Sequence, residues 1–206
     1  MLPSWRARLV VEVPASAEAL HEALGSDPGT LDNIAATTVA ADGSLAPDAP
    51  IHVFVNPQVF GAQRERGAQI VMTHEAVHIA TEAATSAMPL WLLEGFADYV
   101  ALRDTDLPDS VTAGRVIRQV RRDGPPAQLP GPQEFDTSAQ HLGAAYEAAW
   151  LACRLLVDLG GERDLVRFYE LVRAGEPVGR ALSRTFDLTQ RELTAEWRDL
   201  LTDLAA

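Results

Sequence analysis

Two histidines four residues apart lie in the apolar run Gln69-Ile70-Val71-Met72-Thr73-His74-Glu75-Ala76-Val77-His78-Ile79-Ala80. Four residues is just over one helical turn, so on a helix His74 and His78 project from one face and can bind the same metal ion. Glu75 follows His74 at about 100° round the helix, which sets its carboxylate beside such a metal rather than on it. A base for a metal-activated water must stand there. The plain alternative is a buried helix with two hydrogen-bonded histidines and a surface glutamate.

A catalytic zinc needs a third protein ligand and an open fourth position. Downstream of His78 comes Pro89-Leu90-Trp91-Leu92-Leu93-Glu94-Gly95-Phe96-Ala97-Asp98-Tyr99-Val100, a second apolar helix with two acids four residues apart in its middle. A glutamate flanked by Trp91, Leu92, Leu93 and Phe96 is costly to bury unless a cation compensates it, and zinc is such a cation. Asp98 shares the face of Glu94 one turn on. It is placed to accept a hydrogen bond from the far imidazole nitrogen of a ligand histidine, His74 being the candidate. The alternative is a pair of solvated acids, for which the neighbouring residues are wrong.

The two segments, His74-Glu75-Ala76-Val77-His78 and Trp91-Leu92-Leu93-Glu94-Gly95-Phe96-Ala97-Asp98-Tyr99, together resemble the gluzincin metallopeptidases, and within them the short bacterial domains called the peptidase MA family. The resemblance implies one zinc per chain with His74, His78 and Glu94 as ligands, Glu75 as catalytic base and Asp98 as their supporting partner. A further segment, Ala144-Ala145-Tyr146-Glu147-Ala148-Ala149-Trp150, is similar to the Tyr-Glu-Lys-Gly segment of the aminopeptidase N group, whose tyrosine stabilises the tetrahedral intermediate. Ala-Ala replaces Lys-Gly here, so only Tyr146 carries over. The alternative for Tyr146 is a core tyrosine at a helix start. Nothing in the chain matches the Gly-x-Met-Glu-Asn stretch by which aminopeptidases of that group hold a free amine. The resemblance spans about residues 5 to 204, but only the two metal helices are specific.

Other candidates carry less. His141 is an alternative ligand or oxyanion donor, though its polar loop fits a surface histidine better. Asp104, Asp106 and Asp109 lack the glycine and terminal glutamate of a calcium loop and read as a solvated turn. His21 and His52 have no partners in sequence. Cys153, the one cysteine, sits in an apolar run and reads as a small core residue.

The elements that must position these groups follow from patterning. Residues 7–13 read as a strand, 16–24 as a helix, 34–41 as a second strand and 51–55 as a third, preceded by a Pro- and Asp-rich loop over 42–50. Helical segments follow at about 66–83, 89–103, 110–122, 138–159, 162–173, 176–185 and 188–204, with Asn56-Pro57 and Gly160-Gly161 as stops. The expectation is one α+β metallopeptidase domain over 1–206. A strand-rich lobe with a small mixed sheet fills about 1–65. A mainly helical, zincin-like lobe carrying the zinc site fills about 66–206.

The 206 residues, 47% hydrophobic and 22% charged, suit a folded domain. The net charge of −12, with all 17 basic residues arginine, argues against nucleic acid as a partner. Arg115, Arg118, Arg121 and Arg122 have helical spacing and read as a solvated helix face. No apolar stretch is long enough to span a bilayer, and the first residues lack the features of a signal peptide. The resemblance nevertheless implies an extracytoplasmic or cell-envelope setting, as a domain of a longer chain.

The expected activity is hydrolysis of a peptide or protein substrate. Glu75 takes a proton from a zinc-activated water and later returns it to the leaving amine, and Tyr146 donates to the oxyanion. By analogy, strand 51–55 would offer an edge along which an extended peptide pairs. The rival from another class is a catalytically inactive zincin-fold module with a binding or regulatory role. A third reading is a zinc hydrolase of non-peptide amides.

Overall fold

The computed structural model describes residues 9–42 and 49–206. Residues 7 and 8 of the expected first strand, and 43–48 of the loop after the second, lie outside the described residues. The chain is α+β, with a three-stranded mixed sheet and ten α-helices among the described residues. It divides into two compact units. One runs up to Ser86 and takes in Val100–Leu102; the other comprises Ala87–Tyr99 and Arg103–Ala206.

In the first unit, β1 (Val11–Glu12) runs parallel to β3 (Ile51–Val55), and β2 (Ala36–Ala40) runs antiparallel to it. The order β1-β3-β2 puts β3 in the centre, which corrects its assignment as an edge open to a peptide. The reason is its pairing with β1 on one side and β2 on the other. Val53, Phe54 and Val55 are consecutive and all buried, as in a strand covered on both faces.

Ser16 opens α1 (Ala17–Leu24) by accepting a hydrogen bond from the Ala19 amide at 3.2 Å. Asn56 does the same for α2 (Pro57–Gly61), accepting from the Gln58 and Val59 amides at 3.1 and 3.4 Å. Asn56-Pro57 therefore ends a strand and starts a helix, where the sequence reading had only a stop. A proline at the first helical position needs no amide partner.

Helix α3 (Glu65–Ala80) lays Val71, Met72 and Ile79 against Ala36, Val53 and Val55, forming the core of this unit. It ends at Thr81, whose hydroxyl donates to the Val77 carbonyl at 2.8 Å, and Glu82 turns into the left-handed region at φ 54. A separate 3-10 turn, Ala83–Thr85, accounts for the rest of the expected helix 66–83. Because α3 packs on the sheet, the division between units falls after Ser86 rather than at residue 65.

The second unit holds most of α4 (Leu90–Leu102), then α5 (Asp109–Thr112), α6 (Gly114–Asp123), α7 (Leu142–Gly160), α8 (Glu162–Arg173), α9 (Val178–Phe186) and α10 (Gln190–Ala205). The expected helix 110–122 is two helices. Asp109 accepts from the Ala113 amide to close α5, while the Arg115 and Val116 amides at the start of α6 donate to Glu147 at 2.6 and 2.8 Å.

The core of this unit is aromatic and leucine-rich. Phe96 stacks on Tyr169 with ring centroids 4.2 Å apart, and fully buried Trp197 donates its indole N–H to the Ala148 carbonyl at 3.0 Å. Each such side chain contributes about 1.5–3 kcal/mol by burial. Among the described residues no helix is long and apolar enough to cross a membrane.

Candidate metal centre

Helix α3 sets His74 and His78 one turn apart. Their Nε2 atoms face each other at 2.8 Å, with ring centroids 4.5 Å apart and planes at 85°. His78 is buried and His74 half-buried. Two ligand nitrogens on a tetrahedral zinc, each about 2.0–2.1 Å from the ion, stand roughly 3.3 Å apart. Opening the pair by about half an ångström takes only small side-chain rotations, so the two imidazoles fit such an ion.

Glu75 is only 5% exposed, which disposes of a surface glutamate. Its Oε2 accepts a hydrogen bond of 2.6 Å from the Thr38 hydroxyl of β2. Among the described residues no other side chain donates to this carboxylate. A buried carboxylate whose side-chain donor among the described residues is a single neutral hydroxyl is costly as pure architecture. Thr38 was not identified from the sequence. It lies 37 residues from Glu75 in an unremarkable Ala-Thr-Thr-Val run, and only the packing of α3 on β2 brings the two together.

In the second unit, Glu94 and Asp98 are one turn apart on α4 and both are half-buried, among buried Trp91, Leu92, Leu93 and Phe96. They are therefore not a solvated pair on an exposed face. Gly95 lets α4 approach α7 closely. A Cβ there would fall on the Ala149 carbonyl and within 3.1 Å of Cys153 Sγ. Cys153 is fully buried, and burial, with Asp98 adding its negative charge, pushes its thiol pKa up, so it is a poor nucleophile. Tyr146 stands in the second turn of α7, half-buried, its ring edge-to-face with Phe135 at 5.2 Å.

The remaining candidates lie elsewhere. His141, just before α7, is exposed and lines a cleft of about 280 Å³ with Arg115, Arg118 and Arg122, all exposed as a solvated helix face should be. Asp104 pairs with Arg103, and Asp109 with Arg154. His21 bonds Ser26 at 2.9 Å, a local contact, and His52 of β3 bonds Glu12 of the neighbouring strand β1 at 3.1 Å.

Comparison with protein families, with curated proteins and with solved structures finds no match to this chain.

Proposed function

We propose that the chain is a zinc metallopeptidase of the gluzincin type, built on a zincin-like subdomain. His74, His78 and Glu94 hold one zinc ion, each offering one ligand atom to the group. The observation that carries the reading is a buried Glu75, with a single neutral side-chain donor among the described residues, beside two converging imidazoles on one helix. Structural histidine pairs do not require a buried carboxylate beside them; base chemistry does.

When bound, zinc supplies a Lewis acid that polarises the substrate carbonyl and makes water acidic near neutral pH. Glu75 accepts the proton of the attacking water and hands it to the leaving amine. Tyr146 donates its hydroxyl to the developing oxyanion. Asp98 holds the far nitrogen of a ligand histidine and so fixes its tautomer.

The substrate is a peptide or protein in extended form. Among the described strands β2 has a neighbour on one side only. Bonds from the Asn56 amide to Ala35 and from the Ala41 amide to Pro50 set the odd-numbered positions of β2 as its bonded partners to β3. The main-chain groups of Ala36, Thr38 and Ala40 then face outward, where an extended peptide can pair beside Glu75. On the resemblance alone, the setting is extracytoplasmic or the cell envelope, within a longer chain.

Digestion of unfolded casein by the parent and by Glu75→Gln tests the activity. The amide keeps the side chain's shape but cannot take the proton, so kcat should fall about 10²–10⁴-fold with zinc retained. A zinc-loaded Glu75→Gln protein as active as the parent would move the base elsewhere. A parent that cleaves nothing would favour the inactive binding module.

A further inference from the structure

The contact between β2 and α3 assigns a role to a residue with no chemistry of its own. Thr38 Oγ1 stands 2.6 Å from Glu75 Oε2 and 3.4 Å from the Glu75 main-chain carbonyl, so it sits over both the base and the helix turn that carries it. A hydroxyl has one proton to give. The short contact to Oε2 takes it, since the carbonyl lies at the far limit of a hydrogen bond. That donation engages Oε2 and leaves Oε1 as the oxygen without a donor from the described residues.

We propose that Thr38 is the positioning residue of the base: its hydroxyl fixes the rotamer of Glu75, so that Oε1 alone meets the proton to be moved. The proposal rests on the metallopeptidase reading above and adds to it the means by which the base is aimed. Threonine suits the task because its branched Cβ is stiff at χ1, and a strand fixes its backbone. The glutamate has three rotatable bonds and gains its direction from outside. Thr38 also belongs to the strand whose outward main chain is the candidate peptide edge, so one residue sets both the aim of the base and its height above that edge.

The test uses Thr38→Val, which keeps the shape and removes the donor, and Thr38→Ser, which keeps the donor, each alone and in the Glu75→Gln background. With casein as substrate, zinc content should stay near that of the parent in all of them and KM within about twofold. Thr38→Val should lose about 10–100-fold in kcat, the scale of an ångström's misplacement. Thr38→Ser should recover to within a few-fold of the parent, and Thr38→Val should cost nothing further once Glu75 is Gln. A parent-like kcat in zinc-loaded Thr38→Val overturns the proposal, and so does an equal loss in both backgrounds. Should the valine variant not fold, Thr38→Ala takes its place with the same expectations.

A reading independent of turnover separates this proposal from the activity it rests on. In urea unfolding, Thr38→Val should lower the midpoint of the parent but not that of Glu75→Ala, where the acceptor is gone. Equal shifts in both would show that Thr38 does not act through Glu75, whether or not the parent hydrolyses anything.

Discussion

A base that works on water must be both dry enough to be aimed and wet enough to meet its proton; Glu75, the proposed base, is 5% exposed and accepts a hydrogen bond from one threonine hydroxyl. The histidines beside it were readable from spacing, because four residues on a helix leave no choice of face. The burial of Glu75 was not readable: Ala76 and Val77 surround it in sequence, but the strand that covers it comes from residues 36–40. Tyr146 is the residue whose role depends most on analogy. It is half-buried against Phe135 near the start of a helix, as a core tyrosine would be, and the donor role rests on the resemblance. Tyr146→Phe separates these roles. The donor role predicts a fall of about 10²–10³ in kcat and in kcat/KM alike, with KM little changed. The packing role predicts a lower Tm and near-normal turnover per folded molecule. Measured together on one zinc-loaded preparation, a near-normal kcat would remove Tyr146 from the site.

At the scale of elements, local signals and distant ones part company. Helix α8 (Glu162–Arg173) coincides with its sequence boundaries because Gly161 lies before it, at φ 86, and Ala174-Gly175 ends it. The break between α5 and α6 was invisible because its cap is Glu147, 32 residues from Arg115, whose carboxylate takes the two amides that a continuous helix would have used internally. The central place of β3 was likewise set by a partner, β1, of only two residues. Gly95 shows the same conflict between local and tertiary demands. On propensity alone, alanine in mid-helix gains up to about 1 kcal/mol over glycine. Here the added methyl meets the Ala149 main chain and Cys153, which have no flexible end to move aside. Overpacking of this kind costs typically about 1–3 kcal/mol, so the tertiary term wins. Gly95→Ala should therefore unfold at lower urea than the parent, and an increase in stability would mean that α4 and α7 are not in such close contact.

At the scale of the whole molecule, ion pairs between exposed neighbours contribute little to holding the fold. The pairs Arg103–Asp104, Arg122–Asp123 and Arg173–Glu170 join neighbours in sequence near the surface, where solvent screens them. The excess of acids, 29 against 17 arginines, leaves the chain with a net charge of −12. Stability comes instead from the two apolar cores, one around Val53 and Ile79, the other around Phe168 and Trp197. The proposed zinc would take His74 and His78 from α3 and Glu94 from α4. The third ligand is thus the most exacting part of the account. It is tested most directly by elemental analysis of the parent and of Glu94→Ala, purified without added metal and compared at equal folded content. The account predicts close to one equivalent of zinc in the parent and loss of most of it in the variant, since three ligands become two. Zinc retained in Glu94→Ala as tightly as in the parent would contradict it.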